Sequence, residues 1–290
     1  MELISREYAV AVAKRIGTDP RKEKFTVIRN GINCWAADPF PVEVNGILYI
    51  FAEIFVYSKV KGCIGYTKLQ DGKFTPWKIV VEEDYHMSFP YLFYDNDILY
   101  MCPEASASKQ LYFYRCVEFP EKWKKDRVLA TNVNYSDTVF CRSESNVYGL
   151  TCEWHGIEDH KLKLFRVYKD GCQESMEKLN TLEYYLTRPA GKIFRDNDKN
   201  IAVSQICKPL YGTGMVFKEC VIEWPQYEEK ELYRVFPKDI SCNMEKKYVG
   251  THTFNISENY MVIDLVWDRF SPVEKFFRFK KKITGRKRRE

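Results

Sequence analysis

Five stretches of this chain share one outline: an opening residue, an apolar strand, a polar turn, a second apolar strand and a polar closing residue. They are residues 38–53 (DPFPVEVNGILYIFAE), 86–104 (HMSFPYLFYDNDILYMCPE), 137–153 (DTVFCRSESNVYGLTCE), 188–205 (RPAGKIFRDNDKNIAVSQ) and 252–264 (HTFNISENYMVID). The closing residues fall at 53, 104, 153, 205 and 264, spaced by 51, 49, 52 and 59. A period near 50 residues marks a blade-type repeat. Turns such as NG, DND and SESN between β-branched and aromatic runs signal hairpins. A second pair of strands follows most hairpins, as in GCIGYTKL with FTPWKIVV, LYFYRCVEF with DRVLA, and MVFKECVIEW with KELYRVF.

Two hairpins per repeat make a four-stranded antiparallel sheet that is apolar on both faces. Such a sheet cannot stand alone in water, whereas radial stacking buries both faces. The expected fold is all-β: a five-bladed β-propeller with four-stranded antiparallel blades. A sandwich or two separate β domains would not require so even a period. The 19 Phe, 20 Tyr and 6 Trp suit the space between splayed blades. YAVAVAKRI (residues 8–16) is a strand left over before the first repeat, expected to complete the last blade and close the ring. Residues 171–186 (GCQESMEKLNTLEYYL) leave room for a short helix. Residues 1–272 then form one propeller domain, and 273–290 a basic amphipathic extension.

Net charge is +5. Residues 275–290 carry nine basic residues and one acid, so the remainder sums to −3. A mildly acidic body argues against a specific nucleic-acid surface. The tail suits RNA, an anionic membrane surface or an acidic partner. No apolar run approaches the ~20 residues of a membrane span, and the first residues do not read as a signal peptide. The ten cysteines include no CxxC pair. Reduced thiols in a cytoplasmic protein, peripheral at the inner face of a membrane, are therefore expected.

In a propeller the innermost strands surround the axis, so the opening residues Asp38, His86, Asp137, Arg188 and His252 are expected to converge. Glu53, Glu104, Glu153, Gln205 and Asp264 close the repeats. Buried ionisable groups require partners, water or a ligand. Asp38, Asp137 and Glu104 are the candidate catalytic carboxylates, since paired acids can split their pKa values and share acid–base work. Trp35, Glu53, His86, Arg188, Gln205, Tyr211 and His252 are candidate substrate-binding residues. Aromatic faces with Arg, Gln and carboxylates suit a saccharide. No HxH or HExxH spacing calls for a metal or cofactor, although two histidines among several acids leave room for a central divalent cation. His155 and His160, in WHGIEDHK, are expected in an exposed turn and are given no role.

ADPF, HMSFPYLF, ILYMCPE, FPEKW, DTVF, RPAG with SQ, YGTG and HTFN occur in order across residues 33–265. This set resembles the five-bladed propeller domain at the N-terminus of glucosamine inositolphosphorylceramide transferases. More distantly it resembles family 43 glycoside hydrolases. The latter resemblance implies that Asp38 falls where the catalytic base opens the first blade. Asp137 falls where an orienting acid opens the third, and His252 where an axial histidine opens the last. The general-acid glutamate expected at the fourth opening is replaced by Arg188, which cannot release a proton near neutral pH. Glu104 or Glu53 would then have to take that role.

Three readings follow: an enzyme acting on a glycosidic or glycosyl-phosphate bond in surface polysaccharide synthesis, a catalytically silent saccharide-binding module, or an interaction propeller. The enzyme, a glycosyltransferase or glycosidase-like protein, would take a saccharide, a nucleotide-sugar or a glycolipid.

Overall fold

A computed structural model describes all residues except 1–3, 144–145, 157–158, 168–172, 176–178, 180, 224–225 and 287–290. The polar turns do what their residues dictate. Asn45–Gly46, Asp71–Gly72 and Asn96–Asp97 all have φ between 47° and 75°. Positive φ at both central residues is what a tight hairpin with right-handed twist requires, and Asn, Asp and Gly tolerate it best.

The hairpins stack as five blades. Blade I comprises Cys34–Val44, Ile47–Val56, Lys61–Gln70 and Lys78–Val81. Blade II comprises Ser88–Asp95, Ile98–Glu104, Gln110–Glu118 and Lys122–Thr131. Blade III comprises Tyr135–Ser143, Asn146–Gly156, Asp159–Val167 and Gln173–Ser175. Blade IV comprises Phe194–Asp196, Lys199–Ile206, Gly214–Glu223 and Gln226–Val235.

Blade V is built from both ends of the chain. Phe254–Ile256 pairs with Tyr260–Phe270, and Tyr260–Phe270 pairs antiparallel with Ile4–Lys14 from Ile4↔Phe270 to Lys14↔Tyr260. Lys24–Val27 follows on the outside. The closing strand therefore begins and ends earlier than residues 8–16, because pairing with the long Tyr260–Phe270 strand extends it. Joining both ends of the chain in one blade locks the ring, and the radial arrangement leaves only short, protected sheet edges.

Aromatic rings fill the spaces between blades. Phe40 meets Phe89 edge-on at 4.8 Å, joining blades I and II. Phe217 meets Phe254 at 5.0 Å, joining IV and V. Each fully buried Phe contributes roughly 1.5–3 kcal/mol of transfer free energy. Gly191 permits another inter-blade approach. Its φ is +152°, and a Cβ there would collide with the carbonyl oxygen of Phe254. Gly191→Ala should therefore cost about 1–3 kcal/mol from backbone strain alone. Urea denaturation would show the loss; an unchanged midpoint would mean that the approach is slack.

Within residues 171–186 the described parts are the strand Gln173–Ser175 and a single 3-10 turn, Tyr184–Leu186. Residues 179 and 181–183 are irregular, and the rest of the expected short helix falls outside the described residues. His160 is not in an exposed turn. It is buried on Asp159–Val167 with Nδ1 3.7 Å from Cys152 Sγ. His155 lies on Asn146–Gly156, and its side chain is outside the description. All nine described cysteines are free thiols. Pro272–Arg286 forms an α-helix after the last strand. Among the described residues no helix is long and apolar enough to cross a membrane.

Candidate functional site

The inner strands of blades I to III each carry an irregularity at the same place. Pairing skips from Ala37 to Phe40, from Ser88 to Tyr91 and from Ser136 to Val139. Asp38, Phe89 and Asp137, inside these gaps, have φ of 52°, 44° and 54°. Non-glycine residues in this region store strain of order 1–3 kcal/mol each and cluster at functional sites. The bulge turns the side chain away from the alternation of its strand.

Aligned on these bulges, the five openings read Ala37-Asp38-Pro39-Phe40, Ser88-Phe89-Pro90-Tyr91, Ser136-Asp137-Thr138-Val139, Thr187-Arg188-Pro189-Ala190 and Thr251-His252-Thr253-Phe254. The frame is small residue, axial residue, Pro or Thr, apolar residue. Phe89, not His86, is thus the blade II equivalent of Asp38. His86 reaches the site from the segment before its strand. The register also corrects the third closing residue. Ala37 pairs with Glu53 and Ser88 with Glu104, but Ser136 pairs with Cys152. Glu153 lies 3.7 Å from Lys163 instead.

The openings converge on a cavity of about 510 Å³ whose wall includes Asp38, Glu53, His86, Glu104, Arg188 and His252, with Trp35 and Tyr211 also lining it. Asp38 Oδ1 accepts from Thr253 Oγ1 at 2.6 Å, and its Oδ2 accepts from the Phe89 amide at 3.3 Å. His252 Nε2 lies 3.6 Å from Asp38 Oδ1. On the other side of the imidazole, Nδ1 is 2.6 Å from Asp264 Oδ2, close but not aligned as a straight hydrogen bond. Asp264 also accepts from the amides of His252, Thr253 and Asp38. Burial opposes the charged imidazole, but Asp264 and Asp38 outweigh it, raising the His252 pKa to about 9. Burial also raises Asp38, with His252 opposing.

Arg188 donates through Nε to Asp137 Oδ2 at 2.5 Å, and its guanidinium lies 5.0 Å from the centre of the Tyr211 ring. Gln205 Nε2 donates to the same Asp137 oxygen at 2.9 Å. Burial lifts Asp137 to about 6 even though Arg188 pulls it down. Asp137 and Gln205 are absent from the cavity wall. The expected catalytic acid and the expected ligand-binding amide instead stand behind Arg188, because both are consumed in orienting its guanidinium.

Glu53 is buried, and burial with the neighbouring acids Asp38 and Glu104 raises its pKa well above the usual carboxylate range. Its Oε1 lies 3.4 Å from His86 Nε2. The Gly62 amide donates to His86 Nδ1, which fixes the proton of the neutral ring on Nε2. Burial lowers the pKa of His86. A side chain at Gly62 would run into the Glu53 carboxylate. Glu104 is held differently, accepting from the Ser106 amide at 3.0 Å and from Ser88 Oγ at 3.3 Å.

Trp35 is not the open stacking platform expected of it. Phe55 lies parallel against it at 4.7 Å, and Tyr8 tilts against it at 4.8 Å. Tyr211, 36% exposed, is the more open ring at the mouth. Tyr8 was missed by sequence reasoning. It lines the cavity and sits 5.1 Å from the His252 ring. Its signal was available in the leftover N-terminal strand, since a strand that closes the ring must flank the last blade. Asp38, His252 and Asp264 also form a compact donor set for a cation. Two ligands on a small metal ion stand about 3 Å or more apart. The 2.6 Å between His252 Nδ1 and Asp264 Oδ2 is shorter than that and is a close ion pair of imidazolium and carboxylate.

Residues 26–261 match the model of the family described as glucosamine inositolphosphorylceramide transferase 1, N-terminal. The chain belongs to this family. It is 39% identical over 95 residues to glucosamine inositolphosphorylceramide transferase 1 of Arabidopsis thaliana, a match covering 32% of this chain and 12% of that protein. It is 36% identical over 99 residues to the protein of the same name in Oryza sativa subsp. indica, covering 33% of this chain and 13% of that one. The matched stretch is thus about an eighth of these relatives' length.

Among solved structures, the family member is similar to an α-L-arabinofuranosidase of Podospora anserina. The TM-score is 0.58 at 10% identity, covering 86% of this chain and 83% of that one. It is also similar to an arabinanase of Bacillus subtilis, with a TM-score of 0.51 at 11% identity, covering 80% and 93%. At such identities the likeness establishes the shared five-bladed fold.

Proposed function

We propose that the axial cavity binds a saccharide and acts on a glycosidic or glycosyl-phosphate bond in the assembly of cell-envelope or surface polysaccharide. The observation that carries this reading is the convergence of Asp38, Glu53, Glu104, Arg188 and His252, from four blades, on one cavity of about 510 Å³. In this reading Asp38 is the base, held in place by Thr253 and the Phe89 amide. His252, charged at neutral pH, stabilises the Asp38 carboxylate.

Arg188 has Nε tied to Asp137 and lines the cavity, so its terminal nitrogens are the atoms offered to an anionic group. A phosphate leaving group departs without a proton, which suits a site with arginine where a general acid would otherwise stand. A nucleotide-sugar or glycolipid supplies that chemistry. The name of the relatives, which contains a phosphorylceramide, supports the same choice. A second reading, a catalytically silent saccharide-binding module, draws on the same replacement of a proton donor by Arg188. The protein is proposed to work in the cytoplasm at the inner face of a membrane, adsorbed through its basic tail.

Calorimetric titration with nucleotide-sugars, glucuronate oligomers and neutral arabinan or xylan oligomers tests the ligand class. Anionic ligands should bind at least about tenfold better than neutral ones, the scale of one charge-assisted contact. Arg188→Ala should erase that preference. Tighter binding of neutral oligomers by the wild type would reject the role given to Arg188.

A further inference from the structure

The helix Pro272–Arg286 has two apolar faces, and the propeller uses only one. Phe277 packs with Trp35, Phe55 and Tyr57, and the Arg278 guanidinium lies 5.3 Å from the centre of the Phe55 ring. Glu274 is buried beneath, accepting from Arg278 Nε at 2.7 Å. Lys281 Nζ reaches the carbonyls of Lys59 and Val60. Trp35 and Phe55 are also part of the cavity wall. This face therefore fixes the helix beside the mouth of the axial cavity.

The other face is bare. Val273, Phe276, Phe279 and Ile283 are 54%, 61%, 53% and 45% exposed. Their three- and four-residue spacings align them in one stripe. Lys275, Lys280 and Lys282 lie along the same helix, within a segment of nine basic residues and one acid. Large apolar side chains set among lysines are the pattern of a helix lying in a lipid–water interface. A second copy of the chain is disfavoured as the occupant, because pairing two such helices would bring like charges together. An anionic bilayer supplies both the apolar phase and the opposite charge.

We infer that Pro272–Arg286 is a membrane-insertion helix, with Phe276, Phe279 and Ile283 entering the acyl boundary of an anionic bilayer. Its inner face then holds the cavity mouth next to the lipid surface. The inference rests on the proposed membrane location and is independent of the saccharide reading. It adds that adsorption depends on apolar insertion as well as on charge.

The test is flotation with vesicles of phosphatidylcholine containing phosphatidylserine, and with phosphatidylcholine alone, over a range of salt. The protein should bind the mixed vesicles. Phe276→Ser with Phe279→Ser should weaken binding about tenfold or more at low salt, where charge attraction is strongest. Both sites are solvent-facing, so circular dichroism and saccharide binding should be unchanged. Phe276→Trp should shift its emission to the blue on binding and be quenched by brominated acyl chains. Binding without shift or quenching would overturn insertion and leave an electrostatic tether. No binding to mixed vesicles would overturn the membrane location as well. A dimer in free solution that dissociates in the Phe276→Ser, Phe279→Ser variant would assign the stripe to self-association and also overturn the inference.

Discussion

Asp38→Asn is expected to lower turnover by about 10²- to 10⁴-fold, the contribution of a general base. The change keeps the shape of the side chain and an oxygen for the Thr253 hydroxyl. Saccharide affinity should therefore stay within about tenfold, as expected when an interaction specific to the transition state is removed. The measurement compares kcat and Kd on whichever ligand the titrations identify. Turnover retained within a factor of about ten would remove Asp38 as the base. Equal binding by both proteins with no turnover by either would favour the silent module.

The second large effect concerns stability. Asp264 is fully buried and holds the protonated imidazole of His252 together with three backbone amides. Removing one partner of a buried ion pair costs about 3–5 kcal/mol because the other charge is left uncompensated. Asp264→Asn should lose about that much, read as a lower melting temperature and denaturation midpoint. The pH dependence has a definite sign. The folded pKa of His252 is raised from 6.5 to about 9, so the folded state holds its proton more tightly than the unfolded chain. This stabilisation is fully present below pH 6.5 and is lost as pH rises through about 9. The wild type should soften across that window, and Asp264→Asn should flatten the change. A variant as stable as the wild type, with the same pH profile, would show that Asp264 does not hold this part of the axis together.

The repeat was legible because it is written in local chemistry. Asn45–Gly46 and Asn96–Asp97 can adopt left-handed backbone, and the runs beside them are rich in the β-branched and aromatic residues that strands favour. The leftover N-terminal strand pointed to ring closure for the same reason. The axial positions were only partly legible. Alignment by charge chose His86 and Glu153, whereas the small–X–Pro/Thr–apolar frame marks Phe89, and the pairing of Ser136 marks Cys152. That frame was present in the sequence, but its meaning depends on bulges that charge does not reveal.

By itself the sequence determined five β repeats, their closure and the presence of Asp38, Asp137, Arg188 and His252 at repeat openings, because turn preference and strand period act over a few residues. Only the tertiary structure decided which of those groups face the cavity. Asp137 and Gln205 are withdrawn behind Arg188, Trp35 is sandwiched between Phe55 and Tyr8, and Glu53 is left with a raised pKa. Each outcome depends on which side chains from different strands and blades meet around the axis, and through-space burial and pairing are not encoded by neighbours in the chain.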